Sequence, residues 1–270
     1  MHAPSIETWP IAGMLREQRM FKKDNIDVSF DFTTDTPEYW DGFWDRNNGL
    51  GAGGNDPDAL SKTLQKYHQA LWSKELPNGE VMELAIGKGS SYLTWKDFRF
   101  GSDSITASFR YNKYRDMLQQ VERALPNYKS FIESFLREAC TIGGTIIFPK
   151  RMGGINQSRG WNPYIKDRWD LTLECIRRYY CGQESPLSDV LQDDKKFFDL
   201  FVDFKGYVDF FYLQDCVSSD YREVKIWLDE DFSYHPLPKT VDSYLGWINS
   251  NLDFVRNRNE RIRKACQSQG

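Results

Sequence analysis

The stretch TIGGTIIFPKRMGGINQSRGWNPYIKDRWDLTLECIRRYYCG, residues 141–182, decides how the chain folds. Its opening, TIGGTIIF (141–148), is an apolar run that reads as a buried strand ending at Pro149. A polar segment follows: Lys150, Arg151, a Gly153-Gly154 turn, then Asn156-Gln157-Ser158-Arg159-Gly160. From 165 to 180 the period is helical, and Gly182 after Cys181 is the stop. On that helix Ile165, Trp169, Thr172, Ile176 and Tyr179 form one stripe, which should face a core. A buried strand leading into an amphipathic helix sets the expectation of an α+β fold.

The same reading extends upstream. DVSFDF (27–32) alternates like a half-buried strand, and Thr36-Pro37 looks like a cap and first-turn proline for a helix through Trp44. NNGLGAGGN (47–55) is a glycine-rich loop without a Walker lysine. Asp56-Pro57 opens a helix carrying Leu60, Leu64, Tyr67 and Leu71 at helical spacing. After the turn Leu76-Pro77-Asn78-Gly79, runs at 81–84, 92–95, 98–100 and 104–109 suggest a small antiparallel meander. Residues 111–139 read as two helices divided at Pro126.

Downstream, Ser185-Pro186 starts another helix, and the Phe-dense segment 193–215 should bend near Gly206. Val224, Ile226 and Leu228 alternate as a returning strand. Thr240 caps a long helix whose stripe is Val241, Leu245, Ile248, Leu252, Val255 and Ile262. The expectation is an N-terminal arm (1–25) and one α+β domain (26–270), a small antiparallel sheet packed with a largely helical C-terminal half.

The composition excludes several classes. With 270 residues, 40% hydrophobic, 15% aromatic and 27% charged, the chain is neither disordered nor low-complexity. It can bury a core without a metal or disulfide staple. Lys+Arg number 35 against 39 Asp+Glu, a formal charge of −4, which disfavours indiscriminate polyanion coating and leaves room for a local basic groove. No run approaches the ~18 apolar residues of a membrane span, so no membrane partner is expected. Five cysteines in no framework spacing, with no secretory pattern at the N-terminus, point to free thiols and a cytoplasmic protein. Three histidines and these cysteines form no CxxC or HExxH pattern, which disfavours zinc. His68, in an amphipathic helix, reads as a structural histidine.

The candidate chemistry lies in the 150–178 region. Asp167, Asp170, Glu174 and Arg178 recur at steps of three and four and so share one helical face. Such a stripe has two readings. It is a solvated, ion-paired surface, or it faces a cleft where Asp167, Asp170 and Glu174 ligate Mg²⁺ or act as acid and base. In the second reading Lys150, Arg151, Asn156, Arg159, Arg168 and Arg178 bind the ligand, the guanidinium groups clamping phosphate. Two functions follow. One is an enzyme or effector acting on a phosphate-bearing ligand, a nucleotide or nucleic acid. The other is a non-enzymatic protein–protein interaction module marked by Trp40, Trp44 and Trp161.

Seven stretches carry a family likeness: TIGGTIIFPKR (141–151), GINQSRG (154–160), IKDRWDLTLECIRRYYCG (165–182), SPL (185–187), FFDLFVDFKGYVDFFYLQD (197–215), YHQALWSKELPNG (67–79) and GSDSI (101–105). Across roughly 56–255 the chain resembles an uncharacterised bacterial conserved-hypothetical family. The resemblance implies a bacterial source and assigns no catalytic residue.

Overall fold

A computed structural model of the chain describes residues 21–47, 56–87, 92–106, 115–228 and 232–267. The N-terminal arm before residue 21, the glycine-rich loop from residue 48 and the strand continuation at 107–109 lie outside the described residues. Helices α1 (Tyr39–Asn47), α2 (Pro57–Leu60) and α3 (Lys62–Trp72) come first, then the strands β1 (Ala85–Ile86), β2 (Leu93–Trp95) and β3 (Phe98–Ser104). Helices α4 (Arg115–Ala124) and α5 (Tyr128–Ala139), parted at Pro126, separate β3 from β4 (Thr145–Pro149). The rest is helical: α6 (Ile155–Trp161), α7 (Trp169–Tyr180), α8 (Ser188–Asp193), α9 (Lys195–Phe198), α10 (Phe204–Phe210) and α11 (Val241–Gln267). This is an α+β protein with a four-stranded antiparallel sheet in the order β1-β2-β3-β4.

Every residue of β4 is buried, as its uninterrupted apolar sequence requires. It pairs with β3 from Phe100↔Pro149 to Ser104↔Thr145, so segments far apart in the chain become neighbours. The two glycines ahead of the strand make this docking sterically feasible. A Cβ on Gly143 would lie 2.6 Å from both Asn259 Oδ1 and the Val255 carbonyl, and one on Gly144 would lie 1.8 Å from the Ala139 carbonyl. Helix α11 locks onto this turn. The Gly143 N–H donates to Asn259 Oδ1 at 2.7 Å, and the fully buried Arg258 donates to the carbonyls of Gly143, Thr145 and Phe211 at 2.9, 2.6 and 3.0 Å.

Two apolar clusters hold the elements. The larger contains Trp72, Phe100, Phe148, Trp169, Phe197 and Phe201; the smaller joins α4 and α5 to α11 through Val121, Ile132, Phe135, Tyr244 and Trp247. Truncating one of these fully buried aromatics to Ala costs roughly 3–5 kcal/mol. Thr240 caps α11 as expected, its Oγ1 accepting from the Ser243 N–H at 3.1 Å.

Several local expectations are corrected. DVSFDF is not a strand: Asp27 Oδ1 accepts from the Ser29 N–H at 2.9 Å and Asp31 Oδ1 from the Thr33 N–H at 2.9 Å. These Asx turns compete with a ladder and lead into a 3₁₀ turn at Phe32–Asp35. The returning strand near Val224 is reduced to a single bridge with Val217, because Asp220 turns the chain by accepting from Ser218 Oγ (2.7 Å) and the Arg222 N–H (3.2 Å). In the run at 81–84 only Val81 pairs, in a single bridge with Glu75, and the strand β1 forms later, at Ala85–Ile86. The Phe-dense segment breaks at Val202 (φ +69°), while Gly206 lies inside α10. Helix α7 starts at Trp169 rather than 165, because Lys166 and Asp167 take φ of +49° and +66°. Asp167 therefore does not share a helical face with Asp170 and Glu174. INQSRGW forms α6, a helix the sequence pattern did not disclose. Among the described residues no helix is long and apolar enough to cross a membrane.

Candidate functional site

The polar residues around α6 and α7 fall into separate ion clusters. Arg159, on α6 and fully buried, reaches Asp103 Oδ2 on β3 at 2.8 Å, the Ser104 and Asp167 carbonyls at 3.1 Å each, and Thr172 Oγ1 at 3.2 Å. The Asp167 carboxylate sits 3.2 Å from the same guanidinium. The left-handed turn at Lys166-Asp167 brings both the carbonyl and the carboxylate of Asp167 to Arg159, and Asp tolerates that backbone region better than most residues. Burial opposes the Arg159 charge, yet Asp167 and Asp103 outweigh it and raise its pKa further.

Arg168 and Asp170 form a second, wholly buried pair at the start of α7, with Asp170 also accepting the Trp227 N–H at 2.9 Å. A third cluster joins Glu174 to Arg177 (2.7 and 2.8 Å) and Arg178 (2.8 Å). Burial pushes the Glu174 carboxyl up, but the hydrogen bonds from Arg177 and Arg178 prevail and hold it below the usual carboxylate range. Among the described residues no group of three or more His, Cys, Asp or Glu side chains is arranged to hold a metal ion.

A cleft of about 660 Å³ opens between the start of α3, the β3–β4 pair and the start of α6, within the size range of small-molecule sites. Of the expected ligand-binding residues, Lys150, Arg151 and Asn156 line it and Arg159, Arg168 and Arg178 do not; nor do Asp167, Asp170 and Glu174, the expected catalytic residues. Lys62 and Arg99 join the lining, and among the described residues Asp58 is its one carboxylate. Sheet register explains the grouping. The Lys150 N–H donates to the Arg99 carbonyl at 2.7 Å, and the open Cα of Gly101 leaves room above it for the Lys150 stem and the Asn156 amide. Arg151 is engaged by Asp194 at 2.8 Å and Asp193 at 3.2 Å. Asn156 Oδ1 is buried without a hydrogen-bond partner.

Behind the cleft wall lies a directed chain of hydrogen bonds. The Trp72 indole N–H donates to His68 Nδ1 at 2.8 Å, and His68 Nε2 lies 3.1 Å from Ser102 Oγ, which lines the cleft. His68 is fully buried, and burial together with the Arg258 charge takes its pKa down to about 3. It is a neutral structural histidine.

Lys62, Arg99 and Ser102 were not among the expected site residues. They sit on ordinary helix and strand positions, and only the pairing of β3 with β4 and the packing of α3 bring them to Lys150. The aromatic patch expected of three tryptophans shrinks to Trp161, which is 82% exposed. Trp44 instead donates to Glu133 at 3.0 Å on α5, and Trp40 packs under the Arg137 guanidinium.

No curated protein and no solved structure matches the chain. A family match extends over residues 26–262, nearly all of the described structure. The chain belongs to a family of unknown function (DUF6994).

Proposed function

We propose that the cleft binds a phosphate-bearing small molecule of nucleotide size. The observation that carries this reading is its charge: among the described residues Lys62, Arg99, Lys150 and Arg151 line the cleft with a single carboxylate, Asp58, in a chain whose net charge is −4. Arg151 is neutralised by Asp193 and Asp194, whereas no ion pair engages Lys62 or Arg99 among the described residues. Two cations left unmatched in one concavity favour an anion. Asn156 adds a buried acceptor, which suits a ligand with a hydroxyl or N–H beside its phosphate. A cleft of this volume suits a small molecule better than a nucleic-acid strand. In this reading Asp167, Asp170 and Glu174 hold the α6–α7 frame through their arginines and do not touch the ligand.

Titration calorimetry with inorganic phosphate, pyrophosphate and adenosine monophosphate tests the proposal. Each is run with and without Mg²⁺, which proteins hold largely through substrate phosphates. Arg99→Ala and Lys62→Ala should each weaken binding about tenfold, the loss of one charge-assisted contact. Affinities unchanged in both variants would overturn it.

A further inference from the structure

We infer that the hydroxyls of Ser102 and Tyr92, in one wall of the cleft, are a specificity-determining element, presenting a hydrogen-bond donor that favours ligands with an oxyanion oxygen at that point. The inference rests on the anion reading above and deepens it.

It follows from the direction of the bonds behind the wall. An indole N–H can only donate, so Trp72 obliges His68 Nδ1 to accept at 2.8 Å. The neutral ring must then carry its proton on Nε2 and donate it to Ser102 Oγ, 3.1 Å away. Ser102 thereby has one lone pair taken and its own proton still to place. The Tyr92 hydroxyl, buried in the same wall, finds no established partner. Two hydroxyl protons remain, and even if the two groups met, only one proton could be spent between them. At least one O–H is left for the cleft, where an acceptor oxygen from a ligand would satisfy it. The reverse arrangement, Ser102 donating to His68, would set two N–H groups against each other at Trp72. The ring is also too deeply desolvated to hold two protons at neutral pH.

The order Trp72 to His68 to Ser102 thus fixes the polarity of the cleft wall at Ser102. The cations draw an anion in; the hydroxyl donor reads where its oxygens sit. A ligand that places an acceptor oxygen at that point satisfies the donor, whereas one without an acceptor there leaves a buried O–H unpaired.

The experiment measures inorganic phosphate binding by calorimetry for the wild type, Arg99→Ala, the double variant Ser102→Ala/Tyr92→Phe, and Trp72→Phe. The double variant should lose about tenfold in affinity or more. Trp72→Phe, which changes no cleft residue, should also weaken phosphate binding, because His68 is then free to accept from Ser102. Nitrogen-15 shifts of the His68 ring in the wild type should show an unprotonated Nδ1 and a protonated Nε2, a readout independent of how the variants fold. Phosphate binding that survives in the double variant while Arg99→Ala loses it would overturn this inference and leave the cleft reading standing. A His68 ring protonated on Nδ1 would do the same. Absence of phosphate binding by the wild type would overturn the cleft reading, and this inference with it.

Discussion

Arg168 and Asp170, two residues apart at the start of α7, face each other with both ends of the guanidinium fork on both carboxylate oxygens, and neither side chain has any exposed surface. The pair is built into the backbone around it. Arg168 also donates to the Pro236 carbonyl at 3.0 Å, and Asp170 accepts the Trp227 N–H at 2.9 Å. The segment leading into α11 is thereby tied to the first turn of α7, where a carboxylate is also favoured by the helix dipole.

Removing one partner of so deeply buried a pair strands the other charge. Asp170→Ala is expected to cost about 3–5 kcal/mol, read by denaturant unfolding. The exposed pair Lys195–Asp199 provides the contrast: Asp199→Ala should change stability by less than about 1 kcal/mol. Equal losses in the two variants would refute the burial argument.

Glu174 should give the fold a pH dependence of definite sign. Its folded-state pKa lies below the ordinary 4.5, so its pairing with Arg177 and Arg178 stabilises the protein above that value. The contribution fades as pH falls through the lowered folded-state pKa. Glu174→Gln should therefore be less stable than the wild type by about 1–3 kcal/mol near neutral pH, and the gap should close on acidification. A gap independent of pH in urea melts would contradict this.

Gly144 is constrained by space rather than by dihedral angle. A methyl group there would have to occupy a position 1.8 Å from the Ala139 carbonyl oxygen, which is backbone and cannot swing aside. Gly144→Ala should destabilise the protein by more than about 3 kcal/mol, placing it among the severe class of substitutions. Gly246→Ala, where nothing lies within 4 Å, should be neutral or stabilising because alanine favours the helix. Thermal melts of the two variants decide the point.

Anion binding in the cleft should weaken with salt. Lys62 and Arg99 are exposed, so their attraction for a ligand is screened as ionic strength rises from about 0.01 M to about 0.15 M and the Debye length shortens from roughly 30 to 8 Å. Phosphate affinity should drop several-fold over that range in the wild type and less in Arg99→Ala. Parallel salt curves would argue that Arg99 does not contribute.

Elements whose apolar pattern matched their burial were legible in advance: β4 from TIIFP, α3 from Leu64, Tyr67 and Leu71, the division of α4 from α5 at Pro126, and α11 with its Thr240 cap. Misreadings came where side chains compete with the backbone. Asp27, Asp31 and Asp220 form local turns in segments that alternate like strands. The α6 helix is not legible in the sequence because INQSRGW has no apolar period, and its Arg159 is buried by pairing rather than by hydrophobicity.

The candidate site divides the same way. Lys150, Arg151 and Asn156 could be picked out because they follow a buried strand as a run of polar residues, and that much is local information. Lys62, Arg99 and Ser102 could not, since they meet at the cleft only when β3 pairs with β4 across the forty residues between them and α3 packs alongside. Charge type and approximate element were written in the linear chain because they depend on residue identity and short-range period. Which cations line the cleft without an ion pair and which meet a carboxylate was settled by long-range packing, because an ion pair is a property of two positions in space and of the water excluded around them.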